Sequence, residues 1–213
     1  MIGGIGGSGG SGGSALAHPA TPPSVAAQAA AMTGVMPVLP AAGETLIGVA
    51  IAVPQPWAAE LEGWRSAFGD PLGATVPAHV TLVPPTAVPT GAMDQVVDHL
   101  RRTTAASTPF TIRLRGTGSF RPVSPVVYVR LAGGGQECAQ LEDDVRAGVL
   151  GTQRRFPFHP HVTVAQLLDE AALDRAETEL AGYEASFDVT EVGLFTHGRD
   201  GVWRASDRFP LGG

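Results

Sequence analysis

Bulky apolar residues recur at every second position in TLIGVAIAV, residues 45–53, where Ile47, Val49, Ile51 and Val53 share one face and Gly48, Ala50 and Ala52 the other. A period of two is that of a strand with one buried face. The period lengthens after Pro56, where Trp57, Leu61, Trp64 and Phe68 are spaced four, three and four, predicting a helix opened by proline. The same reading predicts a short strand at 79–83 stopped by Pro84 and Pro85, then a helix at 91–105 turning Met93, Val96, Val97 and Leu100 inward. Strands follow at 109–116 and 125–131, and a helix at 136–149 carries Cys138, Leu141, Val145 and Val149 on one side. A strand at 161–165, a helix at 169–181 with Leu173, Ala176 and Leu180 inward, and two late strands at 186–196 and 201–207 complete the pattern. This order predicts an α+β fold, antiparallel sheet covered by helices on its outer faces.

Residues 1–14 are dominated by Gly and Ser, and residues 15–43 by Ala and Pro without a single Asp, Glu, Lys or Arg. Such composition favours flexible coil, so 1–43 is expected to be a tail, natural or an expression remnant, and 44–213 the folded domain. The 213 residues are 44% hydrophobic and 16% charged, enough apolar material for a core. A net charge of −6 argues against coating long nucleic acid, but leaves room for a small phosphorylated ligand held by a few arginines. All 14 basic residues are Arg, which reads as a coding bias. The single cysteine, Cys138, excludes an internal disulfide and Cys-rich zinc sites, and its place on a helical stripe makes it a core residue. No apolar run is long enough to span a bilayer, and the first basic residue is Arg65, so no positive segment opens a signal peptide. The expectation is a soluble cytoplasmic monomer without a membrane partner.

One short pattern carries chemistry. His79-Val80-Thr81-Leu82 recurs 82 positions later as His161-Val162-Thr163-Val164, each copy inside a predicted strand. Alternation turns each His and Thr to one face and the two aliphatics to the other. Each copy thus anchors itself in a core and presents an imidazole beside a hydroxyl. Two such faces meeting across a pseudo-two-fold axis would form a cleft suited to phosphodiester chemistry. One imidazole takes a proton from the nucleophile, the other protonates the leaving oxygen, and the hydroxyls donate to phosphate oxygens. No metal or cofactor is required. Either copy alone reads as an ordinary half-buried strand; their recurrence is what favours a site.

On these residues the chain resembles the 2H (two-histidine) phosphoesterase superfamily, which includes the 2′-5′ RNA ligase-like proteins. PAHVTLVPP at 77–85 is similar to its first motif and FHPHVTVAQ at 158–166 to its second. The resemblance covers about 44–209. It implies a bilobal fold, two related lobes around a central cleft, and metal-free hydrolysis of 2′,3′-cyclic phosphates or related 2′-5′ bonds of nucleotides or RNA ends. It assigns acid/base roles to His79 and His161 and phosphate contacts to Thr81 and Thr163. The second motif often continues into an arginine, where this chain has Gln166. A non-catalytic binder of nucleotides or RNA ends, and a 2′-5′ RNA ligase running the same chemistry in reverse, are the alternatives.

Further residues are candidates for the substrate. Tyr128 and Arg130 share a strand face that looks into the cleft or to solvent. Phe120 can stack a base or simply anchor its loop. Arg154 and Arg155 precede the second motif and either add positive field or are solvated. Between 109 and 166 seven Arg face four acids, a local balance that favours an anion. The small face of Gly48, Ala50 and Ala52 either keeps the cleft floor open for a nucleotide or admits a close-packed helix. His159 lies two before His161, a spacing that also occurs in metal sites, but without an acid or thiol nearby in sequence. His197 is read as a loop residue.

Overall fold

The computed structural model describes Met1, residues 40–152, 154 and 156–212. The expected tail of residues 1–43 thus falls almost wholly outside the described residues, as does Arg155. Within these residues eight strands run β1 Glu44–Ala52, β2 His79–Pro89, β3 Phe110–Ser119, β4 Val126–Gly133, β5 His161–Gln166, β6 Glu184–Val189, β7 Glu191–His197 and β8 Trp203–Pro210. Among the described residues four α-helices, α1 Trp57–Phe68, α2 Met93–Ala105, α3 Gly135–Val145 and α4 Glu170–Glu179, connect them. The fold is α+β, as the pattern predicts.

All strands join one antiparallel sheet in the order β6-β3-β4-β5-β2-β1-β7-β8. From either edge inward the halves match. Each ends on a motif strand, β5 or β2, flanked by the strand that precedes it through a helix (β4-α3-β5 and β1-α1-β2). The halves meet where Val80 pairs with Val162. Helices cross this seam reciprocally: α1, from the first half, packs on β5, and α3, from the second, packs on β2. The apolar faces meet the helices. Ile47, Val49, Ile51 and Val53 of β1, Val80 and Leu82 of β2, and Val162 and Val164 of β5 all enter the core with Leu61, Leu100, Leu141 and Leu173 of the helices.

Three boundaries differ from the sequence reading. The prolines do not end β2, which runs on to Pro89. Val83 pairs with Val49 and Thr86 with Ile47, so Pro84 and Pro85 oppose only Gly48 in a bulge. A bulge tolerates residues that cannot donate to the ladder. The segment expected as one strand at 186–196 is two, because the chain changes partner at Thr190 from β3 in one half to β1 in the other. Finally, α3 stops at Val145; Gly148 takes a left-handed φ of 63° in a 3₁₀ turn. That turn buries Leu150 and leaves Val149 at 41% exposed, where the helical pattern had placed it in the core. Among the described residues no helix is long and apolar enough to cross a membrane.

Candidate active site

The two motif strands bring their imidazoles and hydroxyls to one face. Because Val80 pairs with Val162 in antiparallel register, His79 stands across from Thr163 and Thr81 across from His161. The buried aliphatics on either side, all at 0–1% exposure, hold that face outward from the core. Both rings are oriented alike. His79 Nδ1 lies 2.7 Å from the Pro77 carbonyl, and His161 Nδ1 lies 2.7 Å from the His159 carbonyl. A carbonyl only accepts, so Nδ1 carries the proton in each and Nε2 of the neutral ring is the free base. Nε2 of His79 is 3.0 Å from the Thr81 hydroxyl, which donates to it.

Burial pushes both imidazoles below the ordinary histidine range. His161 falls to about 4, chiefly by desolvation, with the charges of His159 and His79 adding and the bond to the His159 carbonyl opposing. His79 is lowered by desolvation, against the bond to Pro77, and further by the positive charge of Arg65. That arginine lies on the inner face of α1 at 1% exposure. Its Nε donates to Asp70 at 2.9 Å and Nη1 to the Val76 carbonyl at 2.5 Å, while buried Nη2 has no partner among the described residues. Glu62, one turn earlier, accepts from the Ala78 amide at 3.0 Å. Through Arg65 and Glu62, α1 grips residues 76–78, the segment whose carbonyl orients His79.

A cavity of about 760 Å³ opens over this face. His79, Thr81, Thr163, Gln166 and Arg65 bound it together with Gly48, Ala50 and Ala52. The small face of β1 therefore keeps a floor open, and the helices pack on the opposite side. A smaller cavity of about 320 Å³ lies elsewhere, between α2 and the Gly148–Leu150 turn. The two-histidine geometry agrees with a family match: the family model described as the 2'-5' RNA ligase superfamily covers residues 53–201. The chain belongs to this superfamily. Two Bacillus relatives provisionally named phosphoesterases match it. One, from B. cytotoxicus, is 31% identical over 67% of this chain and 84% of its own; the other, from B. licheniformis, is 32% identical over 67% and 85%. Escherichia coli LigT shares the fold, with a TM-score of 0.60 over 80% of this chain and 99% of its own at 22% identity. A Thermus thermophilus protein does likewise, at a TM-score of 0.59, 22% identity and coverage of 79% and 98%.

The remaining candidates in this 2'-5' RNA ligase superfamily member divide. Tyr128 pairs with Thr163 and Arg130 with His161 on β4, so both share the motif face. Tyr128 is buried and Arg130 exposed, and both side chains lie over Gly118, where a Cβ would come within 2.9 Å of them. Phe120 packs into a ring cluster, 4.4 Å from Tyr128 and 4.9 Å edge-on from His161 by centroids. Like His161, Tyr128 and Arg130, it is not among the residues bounding the cavity, and it packs edge-on against the His161 ring. Arg154 is committed to Glu142 and Asp143 of α3 and supplies little field to the motifs. His159 and His161 rings lie 6.1 Å apart, and among the described residues no group of three metal-ligating side chains forms. Cys138 is fully buried and its thiol is pushed up to about 12, the chemistry of a core residue. His197 ends β7, in contact with Trp203 at 5.0 Å between ring centroids. Sequence reasoning missed Arg65, though a cation at the Leu61–Phe68 stripe was the visible signal, and it missed Trp203 and Phe195, which also line the cavity.

Proposed function

We propose that this protein is a metal-independent phosphodiesterase that opens 2′,3′-cyclic phosphates or related 2′-5′ linkages of nucleotides or RNA ends. The observation that carries this reading is the register at the seam, which sets each histidine across from the other motif's threonine, both rings presenting Nε2. Water attacks phosphorus while His161 Nε2 takes its proton. The bond to the ribose oxygen breaks, and that oxygen receives a proton from His79, leaving a phosphomonoester. Thr81 and Thr163 donate to the non-bridging oxygens, where the negative charge is held. Thr81 can bond His79 in either protonation state, which suits the acid, and the depressed His161 ionisation, at about 4, keeps its Nε2 free at neutral pH, which suits the base. LigT has been solved with 3'-AMP and with phosphate, which supports a nucleotide as substrate. By microscopic reversibility the same groups would serve 2′-5′ ligation. The uncharged Gln166 on the cavity wall favours a second reading, a nucleotide binder with negligible turnover.

A panel of nucleoside 2′,3′-cyclic phosphates separates these readings by the appearance of phosphomonoester. Expected are a bell-shaped pH profile, activity that survives a strong chelator, and losses of about 10²–10⁴-fold in His79→Ala and in His161→Ala. In kcat/KM, which reports the free enzyme, the acid limb lies near 4 and the falling limb below the ordinary 6.5. In kcat both limbs move to higher pH, because bound phosphate favours imidazolium. A profile flat from pH 4 to 9, or full activity in His79→Ala, sinks the mechanism.

A further inference from the structure

Beyond the histidines the motif face continues across the first half of the sheet. His79 pairs with Ala52 and Thr81 with Ala50 on β1; Ala50 pairs with Gly193 and Gly48 with Phe195 on β7. On β8, Trp203 pairs with His197. Paired residues share a face, so a strip of hydrogens and methyls leads from the imidazoles to two aromatic rings. Two strand spacings separate β2 from β7, about 10 Å, a span that a nucleoside covers.

Both rings are seated on glycines. The Phe195 ring folds back over Gly193, where a Cβ would meet Cε2 at 2.6 Å. The Trp203 indole reaches across β7 to Gly48, its Cζ3 3.4 Å from the position a Cβ would take. Neither ring is fully buried, and both bound the 760 Å³ cavity. Phe120, the stacking candidate from sequence, is already packed against Tyr128 and His161.

We infer that this half of the cavity is a nucleobase subsite, with Ala50 as its floor and the Phe195 and Trp203 rings, seated on Gly193 and Gly48, as its stacking surface. The inference rests on the phosphodiesterase reading for the phosphate end, and assigns the base to the first half of the sheet. Stacking uses the π face that every base offers, so purines and pyrimidines are both accepted, with the larger purine favoured.

The test compares a nucleoside 2′,3′-cyclic phosphate with methyl riboside 2′,3′-cyclic phosphate, which lacks the base. Wild type is expected to prefer the nucleoside by about tenfold or more in kcat/KM. Trp203→Ala lowers the nucleoside-to-base-free ratio of kcat/KM within that variant severalfold, Phe195→Ala does the same, and Trp203→Phe retains most of the preference. Gly193→Ala, whose Cβ would meet the Phe195 ring at 2.6 Å and displace it, lowers the preference without replacing either aromatic residue. A preference unchanged in both Trp203→Ala and Phe195→Ala overturns the subsite. Calorimetric binding of adenosine 3′-monophosphate against ribose 3-phosphate gives the same readout without turnover. If neither cyclic phosphate is cleaved, the hydrolase reading falls, yet a nucleotide preference lowered by Trp203→Ala still supports the subsite. Equal affinity of wild type for the two phosphates refutes it.

Discussion

Arg65 joins two tasks in one side chain. Its salt bridge to Asp70 is buried to 2% and 0% exposure, and its bond to the Val76 carbonyl braces the segment ahead of His79. Its charge also holds the His79 imidazole more neutral than burial alone would. Arg65→Met leaves the buried Asp70 carboxylate without its cation, held only by the Leu72 amide, an expected loss of about 3–5 kcal/mol in urea unfolding. The same change raises the His79 ionisation, so the falling limb of kcat/KM moves to higher pH. Asp70→Asn keeps the guanidinium and should cost stability without that upward move. Equal limbs in the two variants would reduce Arg65 to scaffolding. The histidines were legible in sequence because each stands in a period-two run that recurs. Arg65 was not, because a lone arginine beside Leu61 and Phe68 reads as the edge of an amphipathic stripe.

Elements were legible where the period was long and regular, and illegible where pairing decides. The four helices and the motif strands follow directly from spacing. The passage of β2 through two prolines depends on a bulge against Gly48, and the split at Thr190 depends on a change of partner, and both are properties of the register. The same holds for Trp203, which reaches the cavity because β7 lies beside β1. The turn between β3 and β4 shows how an element positions a site residue. Arg121 bonds Glu170, Asp174 and Glu177 along one face of α4, which raises its own pKa and ties the turn carrying Phe120 to the helix. Exposed partners make each bond worth little, and their convergence on one guanidinium is what orients the turn. Phe120 in turn shields His161. Arg121→Ala should therefore leave the thermal midpoint within a few degrees and raise the His161 ionisation as Phe120 loosens, read by NMR titration of the imidazole. An unmoved titration would show that the turn holds its place without the arginine.

At the scale of the whole molecule, the candidate site occupies the seam where the two halves of the sheet meet at Val80 and Val162, reinforced by helices crossed over it. Charging the histidines sets like charges across that seam. Unfolded, each imidazole protonates near 6.5; folded, His161 does so only at about 4, and His79 is displaced in the same direction. Between those values the unfolded chain binds more protons, so stability is whole above about pH 6.5 and declines as pH falls toward 4. The His161 share is on the order of 3 kcal/mol. The urea midpoint should drop over that window, and His161→Asn, which cannot charge, should flatten the drop by its share while carboxylate titrations remain in both proteins. A phosphate at the seam reverses the preference by favouring imidazolium. Inorganic phosphate should then raise the midpoint more at pH 5 than at pH 7, and this excess should vanish in the doubly substituted His79→Asn, His161→Asn protein. Superimposable pH curves for wild type and His161→Asn would show that the imidazole is solvated in the folded chain, and that the seam does not couple protonation to folding.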